Sequence, residues 1–219
     1  MTGPETVEGG QLTSEYEELR ATVERFARSE VAPVIGELYE AGQFPYEIVA
    51  KMGRMGLFGL PFSEEYGGMG GDYFALCLAL EELARVDSSV AITLEAGVGL
   101  GAMPIYRYGS EDQKQRWLPP LCRGERLGAF GLTEPGGGSD AGGTRTTARR
   151  DGDQWVINGS KAFITNSGTD ITSFVTVTAV TSGPPASSRA GDGTSGRPGI
   201  SAIIVPAGTP GFTVAPKYS

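Results

Sequence analysis

Histidine is absent from this sequence of 219 residues. That excludes Ser-His and Cys-His nucleophile pairs and removes the commonest metal ligand. Cysteine is scarce, with only Cys77 and Cys122. Two thiols cannot build a Cys-only zinc site, and the count does not suggest a disulfide scaffold of the secreted kind. No metal site is expected. Cys77 lies in an apolar run and Cys122 follows Leu121, so both are expected to be buried and reduced. Positive charge is in deficit: 18 Lys and Arg stand against 26 Asp and Glu, a formal net charge of −8. A nucleic-acid partner would need a basic face to neutralise phosphates, so none is expected. The opening MTGPETVEGG has neither a basic nor an apolar region, which argues against a secretory signal. The longest weakly charged stretch, Ser88 to Tyr106, is interrupted by Glu95 and contains Gly97, Gly99, Gly101 and Pro104. A buried core helix explains it better than a membrane span. The expected location is cytoplasmic.

Hydrophobic residues make up 39% of the chain, enough for a packed core. The pattern changes near Gly124, which divides the chain into an amino-terminal α-helical domain (1–124) and a β-domain (125–219). In the first part, Tyr16, Leu19, Val23, Phe26 and Ala27 fall on one helical face. Ser14 and Glu17 have the spacing of a capping box. Pro33 ends that helix or restarts it. Further helices are expected from Pro45 to Met55, with Gly56 as a stop, and from Tyr73 to Val86. Another begins at Ser110, capped with Gln113, and Pro119 and Pro120 should limit its length. After Gly124 the period becomes two. Strands are expected at Thr146–Arg150, Trp155–Ile157, Ala162–Thr165, Phe174–Val180 and Ile200–Val205. Asp151-Gly152 and Asn158-Gly159 are hairpin signals. Phe174–Val180 alternates Val with Thr, as a half-buried strand does. Short strands with regular turns suggest a small β-sandwich or barrel. The Gly-, Pro- and Ser-rich stretch Ser182 to Pro198 is expected to be a surface insertion. The chain ends at GFTVAPKYS without a closing signal, and a longer polypeptide is expected.

Two segments carry potential chemistry. In Phe130 to Asp140 (FGLTEPGGGSD), a strand enters a turn with three consecutive glycines. Such a turn could aim backbone N–H groups at one point as a phosphate cradle, with Thr133 and Ser139 beside it. An ordinary glycine-rich turn fits the same residues. It is not a dinucleotide fingerprint, because no βαβ unit surrounds it. The second segment, Asn158 to Gly168 (NGSKAFITNSG), places an aromatic and a hydroxyl two residues apart. Period-two alternation puts Phe163 and Thr165 on one face. Together they could hold a flat heteroaromatic ring, or be a core Phe and a solvated Thr.

LTEPGGGSDAG followed by DGDQWVINGSKAFITNSGTD resembles the acyl-CoA dehydrogenase family. GLPFSEEYGG, EELARVDSS, LGAMPIYRYGSEDQKQRWLPPLCRGE and ISAIIVPAGTPGF extend the likeness over nearly the whole chain. The resemblance implies an α+β chain: a helical domain, then a flavin-binding middle β-domain, with the family's carboxy-terminal helical bundle missing. It implies FAD as cofactor, an acyl-CoA substrate, an electron-transfer flavoprotein as electron acceptor, and a homotetramer. Phe130, Gly131, Leu132, Thr133, Gly138 and Ser139 match the first flavin segment. Leu132 and Thr133 would meet the pyrimidine side, and Ser139 would reach the pyrophosphate and the acyl-CoA. Phe163, Ile164 and Thr165 match the second segment, with Thr165 near the reactive nitrogen; many members carry Trp where Phe163 stands. Thr93, Ala96, Gly97 and Leu100 would lie near the floor of the acyl pocket.

The implied reaction is α,β-dehydrogenation of a short or branched acyl-CoA to the 2-enoyl-CoA. The glutamate base of the family is expected beyond Ser219, since Glu81, Glu82 and Glu134 do not match it. The chain alone is expected to be inactive and to hold FAD weakly or not at all. An acyl-CoA oxidase or flavin monooxygenase of the same fold, and a non-catalytic module binding CoA esters or a partner, are the alternatives at this stage.

Overall fold

The computed structural model describes residues 7–8, 11–182 and 199–215. The chain forms two compact units, Met1–Leu127 and Gly128–Ser219. Most of the glycine-rich insertion therefore falls outside the described residues.

In the first unit, β1 (Val7–Glu8) and β2 (Gln11–Leu12) form a small antiparallel pair. Helix α1 (Ser14–Phe26) buries Val23 and Phe26 on the expected face. Its N-cap is Thr13, with no side-chain cap. Ser14 already lies inside the helix, and a capping oxygen must precede the first helical residue; the Ser14–Glu17 box does not form. A π-helical turn, Ala27–Val31, continues α1 up to Pro33. Helix α2 (Ile35–Glu40) restarts the chain, and α3 (Tyr46–Arg54) buries Ile48, Val49 and Met52. Gly56 stops α3 at φ 76°, a conformation costly for other residues.

Helix α4 (Tyr73–Ala84) buries Ala75, Leu76, Leu78, Ala79 and Leu83. The expectation for Cys77 fails, because its thiol is exposed. Tyr73, Cys77 and Glu81 are four residues apart and form the outward stripe of α4. Cys122 is buried as expected, and burial pushes its thiol up to about 12. Asp72 caps α4 through the Ala75 N–H at 2.9 Å and accepts the Tyr16 hydroxyl at 2.8 Å. One carboxylate thus caps α4 and ties it to α1. Asp72→Ala is expected to destabilise the chain by about 2 kcal/mol, a cap plus a charged hydrogen bond. Urea unfolding followed by helical circular dichroism checks this, and an unchanged midpoint would contradict it.

Helix α5 (Ser88–Glu95), a π-helical turn (Ala96–Ala102) and α6 (Met103–Tyr108) form one continuous helix of 21 residues. Its length and composition would suffice to cross a membrane, yet 61% of its most apolar window is buried within the protein. It is a core helix, as expected. Helix α7 (Glu111–Cys122) has the Ser110–Gln113 capping box complete. Pro119 and Pro120 do not cut it short. They lie in its last turns, where each ring removes one N–H, and their carbonyls still accept from Arg123 and Glu125.

The second unit is built on a five-stranded mixed sheet whose first strand starts at the last residue of the first unit: β3 (Leu127–Gly131), β4 (Thr147–Asp151), β5 (Gln154–Asn158), β6 (Thr172–Ser182) and β7 (Gly199–Pro206). Strand β6 is interior and pairs with β3, β4 and β7. Asp151↔Gln154 closes the β4–β5 hairpin, and Val177↔Ile203 sets the β6–β7 register. β6 is not half-buried: residues 174–180 are buried on both faces. Val175 and Val177 pack with Ala129, against Ile164, Val205 and Phe212.

Two expectations fail next to the site. Asn158-Gly159 makes no hairpin, and Ala162–Thr165 is not a strand. The chain leaves the sheet after β5, and the Ala162 N–H is drawn to the Thr133 carbonyl at 2.8 Å. Phe163 then adopts φ 57°, and Asn166 φ 65°.

Candidate functional site

The site in the second unit starts where β3 ends. Gly131 is buried, Leu132 is 37% exposed and Thr133 is half-buried. The chain then makes a tight turn. The Glu134 N–H donates to the Gly137 carbonyl at 2.9 Å, and the Gly137 N–H returns to Glu134 at 3.1 Å. Gly136, Gly137 and Gly138 are not in the left-handed region. Of the two readings the sequence left open, a nest built on positive φ is therefore not formed, and the ordinary glycine-rich turn is: it closes on itself. What remains is an exposed strip from Pro135 to Asp140 that includes Gly138 and Ser139. A side-chain carbon on Gly136 would lie 3.6 Å from the Arg145 guanidinium, so a positive charge flanks the turn.

The carboxylate of Glu134 points inward and organises the loop. It accepts from the Arg145 N–H at 2.8 Å, the Thr146 N–H at 2.9 Å and the Lys161 ammonium at 2.8 Å. Burial alone would raise this carboxyl. The Lys161 ammonium and the two N–H groups outweigh it and hold the group down at about 2. A carboxylate so stabilised is a poor proton acceptor, so Glu134 is a structural anion and not a general base. Glu81 is likewise held low, by hydrogen bonding to Arg85. Glu82 is buried against Arg20 at 3.1 Å.

The second segment lies beside the first. Ala162 bonds to Thr133, and Lys161 reaches the Leu132 carbonyl at 3.0 Å. Phe163 is 76% exposed. Thr165 is exposed and Ile164 is turned toward the sheet core. Phe163 and Thr165 thus point away from the core without a strand to hold them. The left-handed φ of Phe163 is a strain that the hydrogen bonds on either side must maintain. The hydroxyls of Thr133, Ser139 and Thr165 make no hydrogen bond among the described residues. The arrangement is an exposed aromatic plate next to a backbone edge with several hydroxyls at hand. This donor set fits the flat, multiply accepting ring system of a flavin.

Sequence reasoning considered Glu134 only as a base, which it set aside, and assigned no role to Lys161. Their side chains are only 9% and 5% exposed, and the only signal available was one opposite charge in each chemistry-bearing segment.

In the first unit, Thr93, Ala96 and Gly97 are buried, and Leu100 is 43% exposed. The Thr93 hydroxyl donates to the Ser89 carbonyl at 2.9 Å. A side-chain carbon on Gly97 would lie 3.0 Å from the Phe58 ring, so this glycine admits a close helix contact. All but Thr93 lie in the π-helical turn, a feature often found at functional sites. The Gly97, Gly99 and Gly101 spacing was its only trace in the sequence.

A helical unit followed by a mixed sheet with this glycine turn and aromatic loop is the architecture to be placed among known families. Residues 13–125 match the acyl-CoA dehydrogenase N-terminal domain, and residues 129–219 match the acyl-CoA dehydrogenase middle domain. The chain belongs to the acyl-CoA dehydrogenase family, whose members are FAD-dependent oxidoreductases. It is 47% identical to a probable acyl-CoA dehydrogenase of Bacillus subtilis, covering 95% of this chain and 52% of that protein. It is 46% identical to the short-chain specific acyl-CoA dehydrogenase of Clostridium acetobutylicum, covering 93% and 50%. The structure of butyryl-CoA dehydrogenase from Megasphaera elsdenii superposes with a TM-score of 0.80 at 40% identity, over 93% of this chain and 51% of that one. Glutaryl-CoA dehydrogenase of Mycobacterium smegmatis, in complex with FADH2, superposes at 0.81 with 36% identity, over 92% and 48%. The chain therefore spans about half the length of the curated relatives it matches.

Proposed function

We propose that this chain supplies the flavin-binding surface, and part of the substrate surface, of an FAD-dependent acyl-CoA dehydrogenase for short or branched acyl-CoA thioesters. The product is the 2-enoyl-CoA. The helical domain to Gly124 carries part of the acyl pocket, through Thr93, Ala96, Gly97 and Leu100. The β-domain from Glu125 carries the flavin face. The observation that carries the reading is the side-by-side placement of Leu132–Thr133 and Phe163–Thr165, joined by the Ala162–Thr133 hydrogen bond of 2.8 Å.

In this reading Phe130, Gly131, Leu132 and Thr133 line the pyrimidine side of the flavin. Gly138 and Ser139 approach the pyrophosphate, and Ser139 also meets the acyl-CoA. Phe163 stacks on the ring, Ile164 anchors the loop, and the Thr165 hydroxyl lies near the reactive nitrogen. These residues would hold FAD, which would supply a hydride acceptor for the substrate β-carbon. The chain's own residues orient the ring, exclude water from one of its faces and offer donors to its developing negative charge. The role of α-proton base falls to none of the carboxylates described above.

An electron-transfer flavoprotein as acceptor, a homotetramer and a cytoplasmic location complete the proposal. Short-chain specificity is supported by the names of the relatives from Clostridium acetobutylicum and Rattus norvegicus, both specific for short chains.

Titration of the chain with FAD, followed by flavin fluorescence up to millimolar concentration, tests the flavin face. Saturable binding is expected, and Phe163→Ala should weaken it by up to about tenfold through loss of stacking. Equal affinities for the variant and the parent would remove Phe163 from the site.

A further inference from the structure

We infer that Lys161 is a positioning residue for the flavin edge: its ammonium orients and polarises two consecutive peptide groups, Gly131–Leu132 and Leu132–Thr133, whose N–H groups meet the flavin pyrimidine. The inference rests on the flavin reading above. The three ammonium hydrogens have three acceptors: the Leu132 carbonyl at 3.0 Å, Glu134 Oε1 at 2.8 Å and Thr178 Oγ1 at 3.0 Å. The Thr178 hydroxyl passes the effect on by donating to the Gly131 carbonyl at 3.4 Å. Two successive carbonyls therefore lie at the positive end of one network.

A donor placed on a carbonyl strengthens the N–H across the same peptide bond. Across from the Gly131 carbonyl is the Leu132 N–H, and across from the Leu132 carbonyl is the Thr133 N–H. Leu132 and Thr133 are among the residues assigned to the pyrimidine side, and these N–H groups are the donors they would offer it. Negative charge that gathers there on flavin reduction would meet two strengthened, preorganised donors. The Lys161 side chain is only 5% exposed, so solvent screens the effect little.

An ion pair kept for stability alone would not need this geometry. A buried pair is often replaceable by apolar groups at little net cost. Apolar groups cannot donate to Leu132 and Thr178.

The test compares the parent chain with Lys161→Met, Glu134→Gln and the double variant K161M/E134Q. The double variant guards against misfolding, because it leaves no buried charge alone. Amide resonances of the nitrogen-labelled chain are read by NMR without flavin. FAD affinity and the potential of bound flavin are then measured. In K161M and in the double variant, the Leu132 and Thr133 amide protons are expected to move upfield. FAD affinity should fall about two- to threefold, because the two N–H donors are weakened but not lost, and the bound flavin should become harder to reduce. In E134Q, where the ammonium keeps its carbonyl contact, all three should stay nearer the parent values. Unmoved Leu132 and Thr133 amides in a folded double variant would overturn the inference and leave the flavin reading intact. Shifted amides in a chain that takes up no FAD would overturn the flavin reading, and the role of Lys161 toward flavin with it.

Discussion

Gly53→Val is expected to destabilise the helical unit by about 3 kcal/mol, at the upper end of overpacking costs. Gly53 sits in α3 with its backbone against the end of α7. A side-chain carbon there would overlap the Arg123 carbonyl oxygen and lie 3.1 Å from Gly124 Cα. From the other side, a carbon on Gly124 would lie 2.8 Å from Gly53 Cα. Both contacts are with backbone, which cannot rotate away as a side chain can. Even Gly53→Ala, which gains about 1 kcal/mol of helix propensity, should lose on balance. Gly36 is the control. It lies in α2 with nothing within 4 Å of its would-be side chain, so Gly36→Ala should stabilise by up to about 1 kcal/mol. Urea unfolding of the three variants gives the signs directly. A Gly53→Ala midpoint above that of the parent would show that the helices separate easily.

What could be foreseen from sequence followed the range of the interactions concerned. The α1 face, the Ser110–Gln113 cap and the Asp151-Gly152 turn are all set by residues within one or two turns of each other, and each forms as expected. Local rules failed where a distant contact overrode them. Ala162–Thr165 has strand composition, but Lys161 and Ala162 are held by Leu132, Thr133 and Glu134, some 27 to 29 positions earlier in the chain. That attachment pulls the segment off the sheet and gives Phe163 its left-handed backbone. The alternation in β6 was visible, but its burial on both faces depends on residues far off in the chain, such as Ala129, Ile164 and Phe212 packed with Val175 and Val177. The residues of the candidate site were legible as a pattern. The ion pair that binds its two halves was not, because no sequence window contains both Glu134 and Lys161.

Glu134→Ala is expected to be the most damaging single change in the β-unit, costing about 3 to 5 kcal/mol. It leaves the Lys161 ammonium buried without a counter-charge and strips the acceptor from the Arg145 and Thr146 N–H groups. The same group predicts the acid limit of the fold. Its carboxyl lies at about 2 in the folded chain against an ordinary 4.5. A folded value below the unfolded one means that the unfolded chain binds the proton more readily. The stabilisation is therefore fully present above pH 4.5 and is lost as pH falls toward 2. The shift is equivalent to about 3 kcal/mol. Chemical unfolding measured across that window should show stability declining with acid in the parent. In K161M/E134Q, which carries no charge at either position, the decline should be shallower by about the same amount. Parallel pH profiles for the two proteins would mean that Glu134 is not the group whose protonation loosens the β-unit.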